Sequence, residues 1–175
     1  MSRPYLRHNL HRLRLHALTL PELNDYLKPD FTLETRLRTE KHQRKTPEFF
    51  EDIIHESILP AVERAGKDYI YFTLWLIIDK QINTIVGDLC FKGLPNKDGE
   101  IEVGYGIYPA FSGQGYMTRG LKMLINRIST EERVKAITAQ TDKNNLGSHR
   151  VLEKNGFTPY MQEEDMIRWR YDIQK

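Results

Sequence analysis

The stretch EIEVGYGIYPAFSGQGYMTRGLKML, residues 100–124, decides the fold. Ile101, Val103, Tyr105 and Ile107 alternate with Glu102, Gly104, Gly106 and Tyr108, which is the period of a strand with one apolar face and one nearly bare face. Pro109 ends the pairing, Ser112, Gly113, Gln114 and Gly115 make a turn, and Met117, Leu121, Leu124, Ile125 and Ile128 then recur at helical spacing. A strand, glycine loop and helix in this order aim the N–H groups of residues 113–118 and the positive helix end at an anion. Taken alone, the loop fits a plain tight turn equally well. It lacks the third glycine of a dinucleotide fingerprint and the Lys-Ser/Thr of a P-loop. The strand has no obvious partner beyond Pro109, so main-chain groups near Ile107 are free to pair with an amide-bearing ligand arm.

Working outward, the alternation of Leu13, Leu15 and Ala17 with Arg12, Arg14 and His16 predicts a strand within Leu10–Leu20. Thr19, Pro21 and Glu22 open a short helix over 21–28 that Pro29 stops. Residues 30–46 read as a broken helix or an acceptor-facing loop. A helix follows Thr46 and Pro47, with Phe50, Ile53, Ile54 and Ile58 on one stripe and a kink or restart at Pro60. Tyr69–Asp79 and Thr84–Phe91 read as strands joined by a hairpin turn at 79–83, so three antiparallel strands precede the loop. Beyond the helix, which ends near Ser129, come a strand over Val134–Thr141, a helix capped within Asp142–Asn145 and stopped at Asn155-Gly156, and a last strand pair from Phe157 with its turn near 162–165. The expected fold is α/β (α+β) in a single domain, 1–175. Its mixed, mostly antiparallel central sheet has about six to seven strands flanked by about four helices.

The chain's 175 residues and 39% hydrophobic content suit one substantial core. Lys plus Arg number 26 against 24 Asp plus Glu, so the net charge of +2 gives no reason to expect nucleic acid. The basic start, Arg3, Arg7, Arg12 and Arg14 with His8 and His11, reads as a solvated strand edge. One cysteine, Cys90, forbids an intrachain disulfide and fits a reducing compartment, the cytoplasm by default. No apolar run approaches the ~20 residues that cross a bilayer, so no membrane is expected. The six histidines show no metal-ligand spacing, and no metal is expected.

Two segments, YPAFSGQGYMTRGLKML and NNLGSHRVLEKNGF, together with the element order, resemble the GNAT superfamily of N-acetyltransferases, and within it the ribosomal-protein N-terminal acetyltransferases. The resemblance implies acetyl-CoA as co-substrate, with its pyrophosphate at a Gln/Arg-x-x-Gly-x-Gly/Ala pattern that falls here on Ser112, Gly113, Gln114, Gly115, Tyr116 and Met117, continuing to Thr118. Ser112 and Met117 depart from that pattern. It further implies that Ile107 and Tyr108 pair through their backbone with the pantetheine arm and that Asn145 holds it from the other side, where simple helix capping is the plainer role. Many members place a Tyr, as acid for the thiolate, where this chain has Leu152. In the closer branch a Ser at Ser148 serves instead, a role that competes here with helix packing.

Glu102 is the candidate general base, because Gly104 and Gly106 leave room beside it; the competing role is a solvated Glu opposite a Lys or Arg of the next strand. A carboxylate near ~4.3 matches an α-ammonium near ~7.7 better than a lysine near ~10.4, and either needs burial or a relaying water. Cys90, in an apolar strand without a nearby His, is a poor nucleophile, so direct transfer is expected. The expected activity is acetyl transfer from acetyl-CoA to a primary amine, a peptide N-terminus or a small amine, by a monomer or homodimer. The alternative is a catalytically impaired CoA-binding or protein-interaction module.

Overall fold

The computed structural model describes residues 12–44 and 47–174. Strands β1 (Leu13–Ala17), β2 (Leu74–Asp79), β3 (Thr84–Phe91), β4 (Glu100–Ile107), β5 (Ala136–Asp142), β6 (Thr158–Gln162) and β7 (Met166–Asp172) form one sheet in the order β1-β2-β3-β4-β5-β7-β6. Every neighbouring pair is antiparallel except β4 with β5. That parallel pair joins only at Glu100↔Ala136, Ile101↔Ile137 and Glu102↔Thr138, after which the two strands run on unpaired to Ile107 and Asp142. The sheet therefore splits at its centre.

The phase of β4 follows from its bonds to β3. Lys92 N–H donates to the Glu102 carbonyl (2.9 Å) and Tyr108 N–H to the Val86 carbonyl (3.1 Å). Antiparallel pairs alternate, so Glu102, Gly104, Gly106 and Tyr108 turn their main-chain groups toward β3, while Val103, Tyr105 and Ile107 turn theirs toward the open edge.

Helices α1 (Leu20–Tyr26), α2 (Thr32–Leu37), α3 (Glu48–Ile53) and α4 (Leu59–Ala65) cover one face over a core that includes Leu18, Leu23, Leu33, Ile54, Leu74, Leu76 and Ile78. Helices α5 (Tyr116–Ile128) and α6 (Leu146–Lys154) share the opposite core with residues including Ile77, Leu89, Ile101, Leu121 and Ile137. Gly120 lets α5 approach closely, since a Cβ there would stand 2.4 Å from Ile77 Cδ1.

Several boundaries differ from the sequence expectation. The strand expected over Tyr69–Asp79 begins at Leu74, because Phe72 and Thr73 both donate their N–H to the Tyr69 carbonyl (3.0 Å each) and close a 3-10 segment, Gly66–Tyr71. The first strand is Leu13–Ala17; residues 1–11, with Arg3, Arg7, His8 and His11, lie outside the described residues. Within 30–46, α2 is entered at Phe31 (φ 60°) and left at Arg38 (φ 54°), both left-handed. Around Pro60, a wide turn over Ile54–Ile58, in which Leu59 N–H reaches the Ile54 carbonyl, joins α3 to α4. The hairpin at residues 79–83, the three-strand run into the loop, the helix end beside Ser129 and the final β6–β7 hairpin follow the sequence reading.

Candidate active site

A cleft of about 510 Å³ lies where β4 parts from β5, between the start of α5 and the start of α6. Gly113 (φ 75°) and Gly115 (φ 73°) take the left-handed conformation that turns the loop into α5. Gly115 is the N-cap and offers no side chain, so the N–H groups of Tyr116, Met117 and Thr118, which have no intrahelical acceptor, are left to the cleft. An added Cβ at Gly113 would meet nothing within 4 Å. Arg119 lies beside the loop over the Tyr116 ring (5.0 Å), its Nε buried without a partner; burial holds its guanidinium below its ordinary value.

The far wall is α6. Asn145 caps it by accepting the Ser148 N–H on Oδ1 (3.0 Å), and both residues line the cleft. The two helices are tied by Asn155, buried at the end of α6, whose Nδ2 donates to the carbonyls of Thr118 (3.1 Å) and Val151 (2.9 Å). Asn155 thus bridges α5 and α6 as well as stopping its helix.

The expected cofactor residues divide. Ile107, Gly113, Gly115, Tyr116, Met117, Thr118 and Asn145 all line the cleft. Met117 and Tyr116 point their side chains inward: Met117 is buried in the core, and the Tyr116 hydroxyl donates to buried Asp79 (2.6 Å), which also holds Arg12 (2.7 Å). The bulk of Met117 therefore does not narrow the loop. Gln114 turns back, its Nε2 donating to the Ala110 carbonyl (3.2 Å). Tyr108 is placed differently from the expectation, with its N–H given to Val86 and its carbonyl accepting from Phe111 (2.9 Å). The free edge belongs to Tyr105 and Ile107.

On the other face of β4 lies a cavity of about 910 Å³. Its floor is the bare strip Gly104 and Gly106 with Asp88 and Cys90 of β3, and its wall is Phe49, Phe50, Ile53 and Ile58. Tyr105, Gly106 and Ile107 line both this cavity and the cleft, so the two meet across the open edge of β4.

Asp88 is the carboxylate at that floor. It is buried, accepts from the Tyr26 hydroxyl (3.3 Å), and pairs in register with Gly106. Burial pushes its carboxyl up to about 6, against the restraint of hydrogen bonds from Tyr108 and Tyr26. Glu102 lies elsewhere: it is ion-paired to Lys92 of the adjacent strand, stands where β4 still pairs with β5, and is among the lining residues of neither cavity. Ser148 does line the cleft, and the Tyr105 hydroxyl donates to its carbonyl (3.3 Å), while Leu152 is fully buried. Burial drives the Tyr105 hydroxyl up to about 12 and the Cys90 thiol up to about 11.

An open main-chain edge beside a helix start with free N–H groups suits a ligand with amides at one end and a diphosphate at the other, and coenzyme A has that form. Residues 12–158 match the acetyltransferase (GNAT) domain family, and the chain belongs to it. It is 31% identical over 161 residues, 91% of its length, to the uncharacterized N-acetyltransferase YjdG of Bacillus subtilis, covering 94% of that protein. Among solved structures it superposes on the ribosomal-protein alpha-N-acetyltransferase RimL in complex with coenzyme A (TM-score 0.65, 18% identity, covering 93% of this chain and 94% of that one). It also superposes on a chimeric spermidine N-acetyltransferase SpeG from Vibrio cholerae (TM-score 0.63, 16% identity, 92% and 96%). At those identities the structural likeness defines the fold; the family match defines an acetyl-CoA-dependent acetyltransferase.

Proposed function

We propose that this acetyltransferase moves the acetyl group directly from acetyl-CoA in the cleft to a primary amine in the cavity beneath β4. The observation that carries this reading is the sharing of Tyr105, Gly106 and Ile107 by the two cavities, which lets both substrates reach one point without a carrier residue.

Tyr105 and Ile107 hold the amide arm through their open-edge main chain, and the Asn145 amide faces it from α6. The N–H groups of Gly113 to Thr118 hold the diphosphate. Acetyl-CoA, when bound, supplies the activated acyl group. Ser148 is assigned to hydrogen-bond the departing sulfur, because it lines the cleft beside Tyr105. Burial pushes the Cys90 thiol up to about 11, which disfavours a carrier role because only the thiolate attacks.

The test is initial-rate kinetics with both substrates varied, following coenzyme A release. Intersecting double-reciprocal lines are expected. Parallel lines, with acetyl accumulating on Cys90, would overturn direct transfer.

A further inference from the structure

Asp88 is a buried carboxylate without a cation. Among the described residues none lies within ion-pair distance of it. Arg44, the cation whose field lowers it, is already held: its Nε stands 2.8 Å from buried Glu34, it donates to the Tyr26 carbonyl (2.9 Å), and it lies over the Tyr26 ring (4.5 Å). The other groups facing Asp88 are the hydroxyls of Tyr26 from α1 and Tyr108 from the end of β4, 3.4 Å apart, and Cys90 on its own strand. A carboxylate so placed is costly to ionise unless a cation arrives from outside.

The route in is open. A Cβ at Gly106 would stand 3.7 Å from Asp88 Oδ1 and one at Gly104 3.5 Å from Cys90 Sγ, so the two glycines leave the space above the carboxylate clear. Most of the remaining lining is apolar. Phe49 is 64% exposed and Ile53 42%, large apolar side chains held against solvent on the wall facing the floor. At its rim stands Lys92, already ion-paired to Glu102, so Asp88 is the one carboxylate among the cavity's lining residues and a second cation on the acceptor would find no partner there.

We propose that Asp88 receives the ammonium group of the acceptor, and that the acceptor is a primary amine carried on a bulky apolar substituent. The inference rests on the acetyl-transfer reading above. Asp88 takes one ammonium proton, and the freed nitrogen lone pair forms the C–N bond as the thioester C–S bond breaks. The second nitrogen proton leaves with the sulfur as the thiol, and Asp88 returns its proton to solvent. The volume of about 910 Å³ admits an arylalkyl group with ease, and an apolar first residue of a peptide offers the same chemistry.

The experiment uses the full chain with saturating acetyl-CoA and four acceptors: 2-phenylethylamine, a tetrapeptide beginning with Phe, one beginning with Gly, and spermidine. At least one of the first two should exceed both of the others by at least about tenfold in kcat/KM, and which one does so separates a free amine from a peptide N-terminus. Asp88→Asn, nearly isosteric, should cut kcat/KM for the preferred amine by at least about 100-fold while acetyl-CoA affinity holds. Gly104→Val, which fills the cavity and not the cleft, should raise the acceptor KM with acetyl-CoA affinity unchanged. Preference for spermidine or the Gly peptide, or an undiminished Asp88→Asn enzyme, overturns the proposal while leaving acetyl transfer standing. Failure to bind acetyl-CoA at all overturns both.

Discussion

Asp88 on β3 lies directly across from Gly106 on β4, and the absent side chain of the glycine is what opens the carboxylate to the cavity. Gly106→Ala places a methyl group at ordinary contact distance, 3.7 Å from Oδ1, without a clash. The variant should fold normally, and its acceptor KM should rise about tenfold, measured by coenzyme A release at saturating acetyl-CoA.

The same burial makes Asp88 a stability liability at neutral pH. Its carboxyl titrates near 6 when folded against 3.8 as a free side chain, so the folded state holds that proton more tightly. The stability linked to the proton is complete below about pH 3.8 and is lost as pH rises through about 6. Asp88→Asn removes this dependence and should gain on the wild type by about 2 kcal/mol between pH 4 and pH 8, measured by urea unfolding at both. Activity should show the opposite dependence, with kcat/KM of the wild type rising through about pH 6 as the base ionises.

Glu102 should behave as a rim residue. Its partner Lys92 is more than half exposed, and such pairs contribute little. Glu102→Gln should change kcat/KM by no more than about twofold, a shift of under 1 kcal/mol, in the same coenzyme A release assay.

Alternation along residues 101–108 was enough to find the bare face that floors the larger cavity, and the split beyond Glu102 agrees with the reading of a strand with no partner past Pro109. The carboxylate we propose for that face, Asp88, was not legible. Period two along β4 places Glu102 on it, but which β3 side chain stands opposite depends on the register Asp88↔Gly106, and the irregularity between Ile77 and Ile78 reverses the face pattern of β3 midway. Helix α2 was obscured for a related reason: left-handed turns at Phe31 and Arg38 carry no glycine to mark them. The aromatic residues before Leu74 have strand propensity, which the turn closed on the Tyr69 carbonyl overrides.

Asn155 joins the two helices that form the cleft. Asn155→Ala leaves the Thr118 and Val151 carbonyls without their buried donor and should cost on the order of 1–3 kcal/mol in urea unfolding. Because Thr118 belongs to the first turn of α5, acetyl-CoA affinity should fall with it.

If the start of α5 holds the diphosphate of acetyl-CoA, calorimetric titration of acetyl-CoA into the wild type and Gly113→Asp will distinguish them. Asp tolerates the left-handed backbone at residue 113 and an added Cβ there meets open space, so the variant changes the charge of the loop with little change in its shape. Saturable 1:1 binding by the wild type, weakened at least about 30-fold in the variant, is the expected result. Equal affinity in the two proteins, or no binding by the wild type, would contradict the account.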